Sequence, residues 1–206
     1  MAIQHIVFDV GNVLFSYVPS KIVDTLVPNS PLKSFYLTHL FDTPLWLELD
    51  RGDIGIKEAI EILRPYPNTR DYPLYEGELT HLIQSFCTVL DVIRPTKDLF
   101  DLFSHTKSTF ILSNFQADPF DRLLSLHPFL SQASGMVVSA KIRSVKPESA
   151  IYQHLFDTYQ LDPATCLFID DRHENIVAGE KLGMKGLVYS TDQQLTHDLS
   201  ALGLCP

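Results

Sequence analysis

Asp9 sits in the stretch "HIVFDVGNVLF" (5–15), a carboxylate directly after an apolar run and just ahead of Gly11 and Asn12. Three other places in the chain pair comparable chemistry with the edge of an apolar run. Ser113-Asn114 follows "STFIL", Lys146-Pro147 precedes a helix-like stretch, and Asp170-Asp171 follows "CLFI". Brought together, these positions supply three carboxylates, a hydroxyl, an amide and one ammonium. Clustered acids repel one another and hold raised pKa values unless a cation lies among them. An all-oxygen ligand set suits Mg²⁺, which takes one or two carboxylates and keeps several waters. Lys146 and the backbone amides around Ser113 and Asn114 then give an anion a place beside the metal, and phosphate is the obvious candidate.

What must position these groups is legible from the runs themselves. Short apolar segments at 5–8, 108–112, 136–138, 166–169 and 186–189 are non-alternating, as strands covered on both faces should be. Between the later ones lie amphipathic stretches at 148–159, 174–182 and 193–202, the first following Pro147 and the second ending at Gly183. This alternation predicts an α/β chain with a doubly wound, Rossmann-like parallel sheet. Ligands of such sheets bind outside the carboxyl ends of the strands, where all the residues above would meet. Residues 17–92 differ in texture. Phe35, Leu40, Phe41, Leu45, Trp46 and Leu49, then Ile56, Ile60 and Leu63, follow helical spacing, and "RPYPNTRDYP" (64–73) reads as a loop. The expected organisation is a core of residues 1–16 and 93–206 with an α-helical cap subdomain, 17–92, inserted after the first strand.

Composition narrows the function classes. With 45% hydrophobic and 20% charged residues, the 206-residue chain reads as a soluble globular protein large enough for one core plus an insertion. Its formal net charge of −9, with no basic cluster, argues against a nucleic-acid partner. No apolar run reaches membrane-spanning length and no signal-like segment follows Met1, so the expectation is a cytoplasmic protein without a membrane partner. Cys87, Cys166 and Cys205 are far apart, lack metal spacing, and read as small core residues in a reducing compartment.

Taken in order, Asp9-Val10-Gly11-Asn12-Val13-Leu14, Leu112-Ser113-Asn114, Lys146-Pro147-Glu148 and Asp170-Asp171 with Asn175 resemble the four motifs of the haloacid dehalogenase (HAD) superfamily. The forms "FDVGNVLF", "RGDIGIKEAIEIL" and "KPESAIYQHL" are similar to bacterial sugar-phosphate phosphatases of the glucose-1-phosphate type. The resemblance implies a HAD-like core with a helical cap and a Mg²⁺-dependent phosphatase acting on a small phosphorylated metabolite, such as glucose 1-phosphate. It implies Asp9 as a nucleophile that forms an aspartyl-phosphate. Asp9, the Gly11 carbonyl and Asp170 would hold the metal, with Asp171 and Asn175 supporting. Ser113, Asn114 and Lys146 would bind the phosphate oxygens, Lys146 also offsetting charge during catalysis.

Gly11 departs from the pattern, because most phosphatases of the superfamily place a second Asp there as general acid and base. Losing such a group costs roughly 10²–10⁴-fold in rate, least where the leaving oxygen is a weak base. The anomeric oxygen of a sugar 1-phosphate meets that condition, and His173 or a metal-bound water is the candidate proton donor. Blander roles exist for the same residues: Asp9 or Asp171 as helix caps, Ser113-Asn114 as a turn, Lys146 as a solvated loop residue. Tyr17, Trp46 and Arg51 could reach a substrate from the cap, with core packing the expected role of the first two. Two other functions fit parts of the pattern. A 2-haloacid dehalogenase also lacks the second acid but needs no metal and no paired acids. A phosphate-ligand sensor or interaction module would have no use for a nucleophile.

Overall fold

The computed structural model describes residues 2–41, 43–73 and 75–204. Five strands form one parallel sheet in the order β5 (Gly135–Val138), β4 (Ser108–Ser113), β1 (His5–Phe8), β6 (Cys166–Asp170) and β7 (Lys185–Val188), with β1 at its centre. A two-residue strand, β2 (Phe15–Ser16), leads into a run of helices: α1 (Pro19–Leu26), α2 (Lys33–His39), α3 (Pro44–Arg51), α4 (Ile56–Leu63), α5 (Pro67–Arg70) and α6 (Tyr75–Ser85). The chain returns through β3 (Asp91–Val92), which pairs antiparallel with β2 and closes the base of this helical excursion. Alternation then begins: α7 (Arg94–Thr106), β4 (Ser108–Ser113), α8 (Ala117–Leu126), β5 (Gly135–Val138), α9 (Ser139–Ile142), α10 (Ser149–Tyr159), β6 (Cys166–Asp170), α11 (His173–Lys181), β7 (Lys185–Val188) and α12 (Asp192–Ala201).

The unbroken apolar runs follow from helices on both faces of the sheet. Along β1 and β6, Ile6, Phe8, Leu167 and Ile169 enter a core shared with α7 and α12, where Phe8 meets Phe100 edge to face at 5.3 Å. Val7 and Phe168 belong to the opposite core with Ile151, Tyr152 and Leu155 of α10 and Ile176 of α11. Each of these side chains is essentially shut off from solvent, and each fully buried Leu, Ile or Phe contributes about 1.5–3 kcal/mol. Cys87 and Cys166 are free and buried, and burial pushes both thiols up to about 11, as expected of small core residues. Cys205, read in the same way, lies outside the described residues.

Register sets the site. β1 pairs with β4 and β6 in parallel, Phe8 opposite Ile111 and Ile169. The three central strands therefore end nearly level, and Asp9, Ser113-Asn114 and Asp170-Asp171 emerge along one edge. Two features differ from the sequence reading. Within 64–73 the chain forms the single turn α5, because a proline at the first helical position gives up an N–H that has no partner there anyway. Thr69 secures that turn with its single O–H, which has the carbonyls of Leu63, Arg64 and Tyr66 within 2.9 Å as acceptors. The β2–β3 ribbon is too short to leave a periodic signal.

Candidate active site

Asp9 is the first residue past β1, held by a hydrogen bond from its own N–H to the Ile169 carbonyl (2.9 Å). Its Oδ1 accepts from the Val10 N–H at 2.6 Å and from Lys146 Nζ at 2.8 Å. The same ammonium reaches Asp170 Oδ2 at 2.6 Å, and both Lys146 and Asp170 are buried. A single cation thus bridges the ends of β1 and β6. Its position is fixed from β4: the Asn114 side chain accepts from the Lys146 N–H (2.7 Å) and donates to the Lys146 carbonyl (3.0 Å). The Lys146–Pro147 peptide bond is cis.

The two neighbouring acids are placed differently. Asp170 is completely buried. Its Oδ1 accepts from the Arg172 N–H (2.8 Å) and from Asn175 Nδ2 (2.9 Å), while Oδ2 is taken by Lys146. Asp171 is only partly buried and lines the open pocket above Asp9, with its Oδ2 accepting from Asn12 Nδ2 at 3.0 Å. Asn12 makes this contact from a left-handed turn (φ 53°), and its Oδ1 accepts the Tyr17 N–H at 2.9 Å. It therefore ties the turn after β1 to the acid after β6, a role the sequence reading gave to no residue. The adjacent turn-forming pair Gly11-Asn12 was the available sequence signal.

Asp9, Asp170 and Asp171 each offer one oxygen within 4.8 Å of the others. Burial raises the Asp9 carboxyl to about 7; Asp170 and Asp171 add to that rise, and Lys146 offsets only part of it. Asp171 is raised as well, chiefly by burial. Burial alone would lower the Lys146 ammonium, but the two carboxylates against it prevail and raise it. One ammonium facing three acids leaves a surplus of negative charge in a poorly solvated place, which a divalent cation on oxygen ligands relieves. The residues present fit Mg²⁺.

Among the other sequence-predicted residues, Ser113 is buried at the last position of β4, and Asn114 beside it lines the pocket together with Gly11, Lys146 and Asn175. A side chain built at Gly11 would meet nothing within 4 Å. Tyr17 and Trp46 both pack into the core and line the pocket, so packing and substrate contact coincide at these two. Arg51 is committed elsewhere, to Glu148 at 2.6 Å and Asp53 at 3.2 Å. His173 opens α11 as an exposed residue outside the pocket lining, where Arg172 stands instead. The pocket measures about 560 Å³, within the usual range for small-molecule sites.

Residues 145–206 match the family model described as HAD-hydrolase-like. The chain is 28% identical over 190 residues to the sesquiterpene phosphatase astK of Aspergillus oryzae, covering 92% of this chain and 91% of that one. It is also 28% identical over 165 residues to a flavin mononucleotide hydrolase of Arabidopsis thaliana, covering 78% of this chain and 62% of that protein's length. A HAD family enzyme of Bacteroides thetaiotaomicron, solved with magnesium and inorganic phosphate, superposes with a TM-score of 0.75 at 17% identity, covering 95% of this chain and 98% of that one. The L-2-haloacid dehalogenase of Xanthobacter autotrophicus shares the fold at a TM-score of 0.69 and 16% identity, over 99% of this chain and 85% of its own. The fold is that of HAD family enzymes, residues 145–206 match the HAD-hydrolase-like model, and the acidic cluster of Asp9, Asp170 and Asp171 offers oxygen ligands suited to Mg²⁺.

Proposed function

We propose that the protein hydrolyses a phosphomonoester through an aspartyl-phosphate on Asp9. The observation that carries this reading is the Asp9 carboxylate at the floor of an open pocket, with the Lys146 ammonium and two further acids within reach. An Asp9 oxygen attacks phosphorus, the bond from phosphorus to the ester oxygen breaks, and that oxygen leaves with a proton taken from water. Water then attacks the acyl phosphate, releasing inorganic phosphate and restoring the carboxylate. Lys146 and the amides at the end of β4, around Ser113 and Asn114, hold the non-bridging oxygens and offset their charge. Mg²⁺, when bound, neutralises charge so that carboxylate and phosphate can approach.

The sequence reading gave the metal to Asp9, the Gly11 carbonyl and Asp170, with Asp171 and Asn175 in support. Burial and bonding favour exchanging the two acids. Asp170 already satisfies Lys146, Asn175 and the Arg172 amide, whereas Asp171 faces the pocket with Asn12 as its neighbour. We therefore give the ligand role to Asp171 and the task of orienting Lys146 to Asp170. The excursion from 17 to 92 serves as the cap, closing the pocket with Tyr17, Trp46 and Leu47.

A sugar 1-phosphate remains one substrate consistent with Gly11, which asks only for a leaving oxygen of weak basicity. The relatives named above are a sesquiterpene phosphatase and a flavin mononucleotide hydrolase, so phosphorylated small molecules are the common ground. Dehalogenation is disfavoured by the cluster of Asp9, Asp170 and Asp171, since a metal-free reaction gains nothing from surplus negative charge. A sensor is disfavoured by the buried nucleophile held against Lys146. The test is phosphate release from a panel of phosphomonoesters with and without Mg²⁺, alongside halide release from 2-chloropropionate. Phosphate release that stops in EDTA is expected. Halide release surviving EDTA would establish the dehalogenase, and inertness toward every ester would favour the sensor.

A further inference from the structure

The wall of the pocket is unlike its floor. Tyr17, Trp46, Phe86 and Phe115 form a connected row of rings that runs from the cap into the core. Trp46 meets Tyr17 at 6.3 Å and Phe86 at 5.0 Å, and Phe86 stacks on Phe115 at 5.0 Å. Phe115 directly follows Asn114, so the row begins beside the phosphate-binding floor. Leu90 and Leu47 extend the apolar surface, and Leu47 stands 39% exposed on α3 although it lines the cavity. Thr43 and Asp50 are the polar members of this wall. A free sugar would set hydroxyls against this apolar wall, where they lose water and gain few partners.

We infer that the organic part of the substrate is a large, flat apolar body, most simply an aryl group bonded through oxygen to the phosphate. The inference rests on the phosphatase reading above and deepens it. Two independent features converge. The wall, lined by Tyr17, Leu47, Leu90 and the accessible margins of the largely buried Trp46, Phe86 and Phe115, accepts a flat hydrocarbon body by apolar burial. Gly11, without a general acid, requires an oxygen that leaves as a weak base, and a phenolic oxygen does so without protonation. In the balanced step Asp9 takes the phosphoryl group, the aryl oxygen keeps the bonding electrons and departs as an aryloxide, and solvent supplies its proton.

The experiment compares kcat/KM for 1-naphthyl phosphate, phenyl phosphate and glucose 1-phosphate at saturating Mg²⁺. The first two leave as similarly weak bases but differ by one ring, so their ratio reports contact with the wall. We expect naphthyl to exceed phenyl by about tenfold, the extra apolar area being buried, and both to exceed glucose 1-phosphate. Leu47→Glu should pull the naphthyl-to-phenyl ratio toward one. Ile62→Glu, at an exposed position on α4 outside the pocket lining, should leave the ratio as in the wild type. Equal rates for naphthyl and phenyl, or glucose 1-phosphate as the best of the three, overturn the aryl inference while leaving the phosphatase intact. No release from any of the three overturns the phosphatase reading itself.

Discussion

At Gly11 the backbone lies outside the left-handed region, and nothing stands within 4 Å of a built Cβ. Glycine is therefore not demanded here by strain or by crowding, and a larger residue fits toward the cavity. That makes the absent acid a chemical choice whose effect can be reversed. Gly11→Asp should fold normally and raise turnover of alkyl phosphates, whose leaving oxygens need a proton, by up to ~10²-fold. Turnover of aryl phosphates should change much less. Steady-state kinetics on the two classes reads the contrast, and an equal gain or loss on both would show that position 11 does not govern proton supply. The motif residues Asp9, Lys146 and Asp170 were legible from type and order alone. The different burial of Asp170 and Asp171, on which their proposed roles rest, was not, because adjacent letters carry no burial. Asn12 stood in the first motif without a role, because its contact with Asp171 spans 159 positions.

The ends of elements place the two neighbouring acids differently. β6 runs one residue further than its apolar letters, so Asp170 is still strand, paired with Val188 of β7, and turned into the protein. Asp171 falls in the turn before α11 and reaches the pocket. Asp171→Asn should then raise the Mg²⁺ concentration for half-maximal activity by at least about tenfold. Asp170→Asn should instead cost ~2 kcal/mol of stability, through weakened charged hydrogen bonds to Lys146 and the Arg172 amide. Magnesium titration of activity and denaturant melts separate the two. A larger Mg²⁺ shift in Asp170→Asn would restore the ligand assignment first drawn from the sequence. Strand positions were readable because doubly covered strands are continuously apolar, as "CLFI" and "HIVF" are. The α5 turn and the β2–β3 ribbon were not, since one helical turn and two paired residues fall below any period the letters can display.

For the molecule as a whole, the site is a destabilised spot that a metal repairs. The Asp9 carboxyl is raised from 3.8 to about 7 by burial and neighbouring acids, so between those values the metal-free folded protein keeps a proton that the unfolded chain has released. Stability from this group therefore falls as pH rises from about 4 to about 7. Thermal melts in EDTA should show Asp9→Asn gaining on the wild type across that interval, and Mg²⁺ at pH 7 should raise the wild-type Tm in proportion to the logarithm of its concentration. A Tm difference independent of pH would mean that the acids are not held apart from solvent as described. Among the described residues no helix is long and apolar enough to cross a membrane. Residues of the 17–92 excursion and the ends of the sheet strands line this same pocket, so the proposed apolar substrate body and the charge imbalance would be met by different sides of one cavity.

The central claim is that Asp9 itself becomes phosphorylated, and the direct measurement is mass spectrometry of rapidly acid-quenched enzyme mixed with a phosphomonoester. With Mg²⁺ present, one added phosphoryl group should map to the peptide containing Asp9, vanish after hydroxylamine treatment, and be absent in Asp9→Asn and in EDTA. Full phosphate release by Asp9→Asn, or a phosphoryl group mapped to another residue, would contradict it.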